Sequence, residues 1–228
     1  MVASTLLGMN PTLLGSRIER LREATVVAIF RTETAEQAVE GMGAAVRGGF
    51  DAVEVTMNTP GATDAIADVA GRIDAIVGAG TILAPTQVKE AYDAGAEFIV
   101  TPVVAPEVVE AAHDLSIPVA MGAATPTEVF TARRAGADWV KVFPGESLGG
   151  PDYIKSILGP LDGTPILVTG GLTSENYLGY LGAGAELVGF ADVFGGLNAA
   201  EARYEEMERQ AIEICRRLDI YLTEQDSE

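Results

Sequence analysis

The stretch Thr125–Gly145, TPTEVFTARRAGADWVKVFPG, holds a helix signature, a stop and a strand in sequence. Thr125 is a cap candidate, Pro126 suits the first helical position and Glu128 completes a capping box. Gly136 ends that helical pattern. Trp139, Val140, Val142 and Phe143 then read as a buried strand with Lys141 in its middle. The chain has only three lysines, Lys89, Lys141 and Lys155, so one set among apolar neighbours stands out, because desolvating an ammonium is expensive.

The same unit recurs along the chain. Short runs rich in Val, Ile and Ala occur at 26–31 (VVAIFR), 52–57 (AVEVTM), 75–80 (AIVGAG), 98–103 (FIVTPV), 118–123 (PVAMGA), 139–144 (WVKVFP), 166–171 (ILVTGG) and 187–192 (LVGFAD). Their spacing of roughly 20 to 28 residues is the length of one strand–helix unit. Several runs are apolar almost throughout, as expected of parallel strands covered on both faces. Between them, TAEQAVEGMGAAVRGG opens on Thr34 and stops at Gly48-Gly49, and APTQVKEAYDAGA starts with Pro85 and stops at Gly95. Each helix is expected to end in a glycine, with the next strand a few residues on. Eight units predict an α/β fold, a (β/α)₈ barrel, in preference to a doubly wound sheet, which rarely keeps such regularity.

Two appendages flank a barrel core at about 25–195. Residues 12–24, TLLGSRIERLREA, read as a helix before strand one that plugs the barrel's lower end. Residues 200–222 put Tyr204, Met207, Ala211, Ile214 and Leu218 on one face, as an amphipathic eighth barrel helix would. TEQDSE reads as a polar tail. No linker or composition break divides residues 1–228, so a single domain is expected.

Composition narrows the function. An apolar fraction of 48% argues for a compact globule. No apolar run reaches the roughly 18 residues of a membrane span. MVASTLLGMN lacks the basic start and long apolar core of a signal peptide, which predicts a cytoplasmic protein. A net charge of −18 disfavours nucleic acid and anionic membranes as partners. Such acidity suits a high-salt cytoplasm, and equally an arginine-preferring genome. The lone Cys215 reads as a packed thiol, and His113 lies in a helical stretch away from any strand end. No cluster has metal-ligand spacing, so neither metal nor cofactor is expected.

In such a barrel the chemistry sits at the C-terminal strand ends. Alternation puts Lys141 on one face of strand six with Trp139 and Phe143, and Glu54 with Thr56 on strand two. An exposed edge or a snorkelling stem is the alternative for Lys141, but apolar neighbours on both faces favour a buried amine. Burial makes an amine neutral and nucleophilic toward a carbonyl, and the resulting imine is an electron sink. Glu54 then serves as a proton shuttle, or merely neutralises Lys141. Thr169-Gly170-Gly171, with Thr173 and Ser174 as cap candidates, reads as an anion nest. Thr81 is placed to bond a substrate carboxylate or simply to cap a strand end.

Together these residues resemble the class I aldolases of 2-keto-3-deoxy-6-phosphogluconate and 4-hydroxy-2-oxoglutarate, with the related 2-keto-3-deoxy-6-phosphogalactonate aldolases. The resemblance runs from about residue 25 to 195 through GGFDAVEVTMNTP, VGAGTIL, AGAEFIVTP, ATPTE, VKVFP, LGGPDYIKSILGPL and TGGLTSEN. It implies a metal-free lyase, an aldehyde-lyase of the Entner–Doudoroff type, that assembles as a homotrimer and acts on a phosphorylated keto sugar acid and pyruvate. It further implies that Lys141 is the Schiff-base lysine, Glu54 the proton-transfer carboxylate, Thr81 the contact to the pyruvyl carboxylate and Phe143 the aromatic beside the lysine. Gly170 and Gly171 match the phosphate loop, Arg31 an arginine that reaches anionic groups, and Pro102 and Asn58 complete the substrate-binding set. Asn58 stands where many gluconate-type members carry Arg and is closer to the galactonate type. Ala191 lacks the hydroxyl often found after strand eight, and Met121-Gly122 replaces a Pro-Gly. The reaction implied is cleavage of 2-keto-3-deoxy-6-phosphogluconate to pyruvate and glyceraldehyde 3-phosphate. A phosphate-dependent isomerase or epimerase and a non-catalytic barrel are the rival readings.

Overall fold

In the computed structural model, which describes residues 9–194 and 204–225, eight parallel strands close into a barrel in chain order. They are β1 (Val26–Phe30), β2 (Ala52–Thr56), β3 (Ile76–Gly80), β4 (Phe98–Thr101), β5 (Val119–Ala123), β6 (Trp139–Val142), β7 (Ile166–Thr169) and β8 (Leu187–Phe190). Helix α1 (Pro11–Ala24) precedes β1. Helices α2 (Ala35–Arg47), α3 (Ala62–Val69), α4 (Pro85–Ala94), α5 (Pro106–Asp114), α6 (Pro126–Arg134), α7 (Gly150–Leu158) and α8 (Tyr177–Gly182) alternate with the strands, and α9 (Tyr204–Gln225) follows β8. Each apolar run overshoots its strand by a residue or two. Arg31, Met57, Pro102, Phe143, Gly170 and Asp192 therefore lie in the loops at the C-terminal rim.

Strand parity sorts the core into two layers. Val53, Val55, Val140 and Val142 face outward into the shell beneath the helices. Val27, Ile29, Ala52, Ile76, Phe98, Val100, Ala120, Trp139, Leu167 and Leu187 fill the interior. Leu21 and Ala24 of α1 join that interior cluster, so the first helix closes the N-terminal end, as expected. It is held there by Arg20 with Glu97 at 2.9 Å and Arg22 with Glu186 at 3.3 Å. The Trp139 indole donates to the same Glu186 at 3.0 Å.

Most helix ends obey the sequence. Thr34 accepts from Gln37 N at 3.3 Å, and Gly95 ends α4 in the left-handed region. Thr125 accepts from Glu128 N at 3.3 Å. The return bond of this capping box goes from Ala124 N to Glu128 Oε2, one residue upstream of the cap. Helix α5 departs from the glycine rule, because Ser116 takes the positive φ of 60°. Its hydroxyl accepts from Asn10 N, which ties that turn to α1. His113 pairs with Asp138 at 2.9 Å, and Asp138 also accepts from Val119 N. This link braces the N-terminal ends of β5 and β6, far from the rim.

Helix α9 buries Met207, Ala211, Ile214 and Leu218, with Tyr204 half-buried. A Cβ on Gly48 would lie 2.3 Å from that of Ala211, so the glycine ending α2 also admits α9. Cys215 is packed at the same seam, and burial pushes its thiol up to about 12. The expected polar tail at 223–228 is helical as far as Gln225. Residues 200–203 of the expected C-terminal helix, residue 195 of the core and 226–228 of the tail lie outside the described residues.

After β8, a single turn at Asp192–Phe194 is locked by aromatics. Phe194 packs on Phe30 at 5.5 Å and on Phe50 at 5.4 Å, measured between ring centroids. Phe190 and Tyr177 extend the group.

Candidate active site

The barrel interior changes character toward its C-terminal end. Above the apolar layer the inward positions are Glu54 and Thr56 on β2, Lys141 on β6 and Thr169 on β7, all buried. Gly80 makes room for Glu54 and Gly189 for Thr169, whereas Gly78 admits the Phe98 ring and Gly122 the backbone at Pro102. Glu54 pairs in register with Ile29 and Gly78, and Lys141 with Gly122 and Leu167, so the two charged side chains enter from opposite walls. A Cβ on Gly80 would sit 1.6 Å from Glu54 Oε1, so the carboxylate occupies the space that a side chain there would take. Gly80→Ala is expected to displace Glu54 and to cost about 1–3 kcal/mol of stability, measurable as a fall in the denaturant midpoint.

Burial dominates the electrostatics. It pushes the Glu54 carboxyl above its usual range, against the opposing pull of Lys141 and then Arg31. It pushes the Lys141 ammonium below its usual range, opposed by Glu54 and assisted by Arg31. Both groups are thereby biased toward neutrality. Glu54 Oε1 and Oε2 are buried and accept no hydrogen bond from the described residues. A carboxylate left without donors is costly to stability and is common where a substrate or water must be bonded instead.

The other expected site residues are distributed around this pair. The Phe143 ring lies with its centroid 5.4 Å from Lys141 Nζ and is 43% exposed, opening toward the rim. Arg31 is exposed one residue beyond β1, and its charge acts on both Glu54 and Lys141. Thr81 follows β3 with a φ of 57°, a left-handed turn that holds a half-buried side chain at the strand end. The Pro102 carbonyl carbon approaches to 2.1 Å of where a Gly122 Cβ would stand, so the chain after β4 folds over the register partner of Lys141. Asn58 is exposed in the turn after β2.

The loop after β7 differs from its sequence reading. Gly170 and Gly171 take φ values of 88° and 79°, pressed against Phe143 and Glu146 so closely that Cβ atoms would fall at 2.9 and 2.5 Å. Helix α8 starts only at Tyr177, so Thr173 and Ser174 do not cap it. Thr173 instead accepts from Glu175 N and Asn176 N within the preceding turn. Gly171 N donates to Asp192 Oδ2 at 3.2 Å. Asp192 is a site neighbour that sequence reasoning did not select, and Thr169, read there only as part of the anion nest, turns a buried hydroxyl inward that has no hydrogen-bond partner among the described residues. Parity with Leu167 was a signal for Thr169, whereas Asp192 had none.

The sequence model of the KDPG and KHG aldolases matches residues 18–212. The chain belongs to that family. It is similar to the 2-dehydro-3-deoxy-6-phosphogalactonate aldolase of Escherichia coli, at 39% identity over 70% of this chain and 78% of the relative. It is similar, too, to the 2-dehydro-3-deoxy-phosphogluconate aldolase of Haemophilus influenzae, at 35% identity over 72% and 78%. A solved KDPG aldolase from Legionella pneumophila, with pyruvate captured as a covalent carbinolamine, superposes with a TM-score of 0.79 at 25% identity, covering 87% of this chain and 97% of that one. This aldolase is accordingly a lyase on a (β/α)₈ barrel.

Proposed function

We propose that this aldolase cleaves a 2-keto-3-deoxy-6-phospho sugar acid through an imine on Lys141. The observation that carries the reading is a buried amine and a buried carboxyl on opposite walls of the barrel's C-terminal end, each biased toward its neutral form. Lys141 Nζ adds to the C2 carbonyl of the substrate, and loss of water from the carbinolamine gives the iminium. Glu54, in its ionised form, takes the C4 hydroxyl proton directly or through one water. The C3–C4 electron pair then moves onto the iminium, the aldehyde leaves, and an enamine of pyruvate remains. Protonation of that enamine at C3 by Glu54 and hydrolysis of the imine release pyruvate and restore both groups.

Thr81 is assigned to the substrate carboxylate and Phe143 to the apolar wall beside the imine. Arg31, Pro102, Asn58, Gly170 and Gly171 line the path outward. The substrate read from sequence is 2-keto-3-deoxy-6-phosphogluconate, giving glyceraldehyde 3-phosphate. Asn58, together with the 39% identity to the galactonate-type relative, favours the galactonate epimer as a second substrate, and 4-hydroxy-2-oxoglutarate shares the same reacting atoms. The homotrimer and cytoplasmic location expected of the family belong to the same proposal.

A coupled pyruvate assay across this panel, at low and high salt, tests the reading. Pyruvate release from at least one 6-phospho acid, abolished in Lys141→Ala, is expected. Absence of pyruvate from every member would overturn it in favour of an isomerase or a binding barrel.

A further inference from the structure

The outer end of the pocket, formed by the loops after β6, β7 and β8, is where a barrel of this kind usually holds a phosphate. In this chain that end is unusually acidic. The described residues of these loops, 143–149, 170–176 and 191–194, contain Glu146, Glu175 and Asp192 and no Lys, Arg or His, while Glu201 and Arg203 of the connection to α9 lie outside the described residues. Hydrogen bonds from the Ser174 and Thr173 hydroxyls, with a lesser pull from Arg217 of α9, draw the Glu175 carboxyl downward. One backbone donor of the loop after β7, Gly171 N, already points at a carboxylate oxygen of Asp192 at 3.2 Å. That arrangement is fixed by packing. Phe194, two residues on, is wedged between Phe30 and Phe50, and Gly171 is pinned by Glu146, whose carboxylate accepts from Tyr180 Oη at 2.8 Å.

We propose that Asp192 is a specificity-determining residue that occupies the Gly171 N–H in competition with a substrate phosphate, so that the outer pocket discriminates less against acids with a neutral hydroxyl terminus. A phosphate entering this end displaces one carboxylate from its donor and meets that negative charge at close range, a double penalty absent for a hydroxyl. A hydroxyl, by contrast, donates to the Asp192 carboxylate without disturbing it. The inference rests on the aldolase reading of the same site and refines which substrate terminus it prefers. In the wild type, the phosphate group therefore adds less to kcat/KM than it does once the Asp192 carboxylate is removed.

The test compares 2-keto-3-deoxygluconate with its 6-phosphate in wild type, Asp192→Ser and Asp192→Asn, with inorganic phosphate as a competitive inhibitor. Asp192 is exposed, so neither change endangers folding. Asp192→Ser is expected to raise the ratio of kcat/KM, phosphorylated over unphosphorylated, at least about tenfold, chiefly through KM. Phosphate should inhibit it at a correspondingly lower concentration, and Asp192→Asn, which keeps an acceptor for Gly171 N, should fall between. A ratio unmoved or lowered by Asp192→Ser, with pyruvate still trapped on Lys141 by borohydride, overturns the role of Asp192 alone. Failure to trap pyruvate on Lys141 in any of the three proteins overturns the aldolase reading and this inference together.

Discussion

Lys141→Ala is expected to lower pyruvate release by at least ~10⁴-fold while leaving the barrel folded. No other lysine lies in the interior, since Lys89 and Lys155 sit on the surface helices α4 and α7. No second lysine is therefore placed to form the imine among the described residues, and loss of covalent catalysis is expected. Folding survives because the ammonium is held at the expense of its own solvation. Burial drives its ionisation downward, so truncation removes an unfavourable desolvation along with the packing of the stem. Far-UV circular dichroism and a single cooperative melt check the fold, and a coupled pyruvate assay checks the loss. Residual turnover within tenfold of wild type would place the nucleophile elsewhere.

Glu54→Gln is expected to cost about 10²–10⁴-fold in kcat, with a smaller change in KM, because the amide fills the same space yet takes no proton. The variant should still trap pyruvate on Lys141, which separates proton transfer from imine formation. In the wild type, kcat/KM should fall on acidification at a pH above the ordinary glutamate value of about 4.3, since the base must be ionised and burial raises its pKa. Stability moves in the opposite sense. Between the unfolded value and the raised folded one, the folded chain retains a proton that the unfolded chain has released. The contribution of Glu54 to stability therefore declines as pH rises through that window, whereas the lowered Lys141 ammonium contributes in the opposite sense. Glu54→Gln removes this term, so its melting temperature relative to wild type should climb as pH rises above the ordinary glutamate value of about 4.3. A difference that stays constant as pH rises above that value would contradict the raised pKa.

Much of this was legible because it depends on short-range rules. The recurrence of apolar runs with Thr, Pro and Gly punctuation reports βα units directly, and parity within WVKV and AVEVT fixes which side chains face inward. The lysine at position 141 was conspicuous for the same reason, a charge in a strand apolar on both faces. The rim was less legible. Apolar runs continue past the strands into Pro102, Phe143-Pro144 and Gly170-Gly171, and nothing local marks where the ladder stops. Helix α8 begins later than Thr173 and Ser174 suggest, because the hydroxyl of Thr173 first closes a turn of its own. The Gly171–Asp192 contact joins residues 21 apart in sequence and depends on Phe194 packing against Phe30 and Phe50, a long-range aromatic cluster with no local signature.

The central claim, an imine between pyruvate and one buried lysine, is tested most directly by borohydride reduction in the presence of pyruvate followed by peptide mass mapping. The account predicts a single stable adduct on Lys141, dependent on pyruvate and lost in Lys141→Ala. An unmodified Lys141, or an adduct confined to Lys89, Lys155 or the chain's amino terminus, would contradict it.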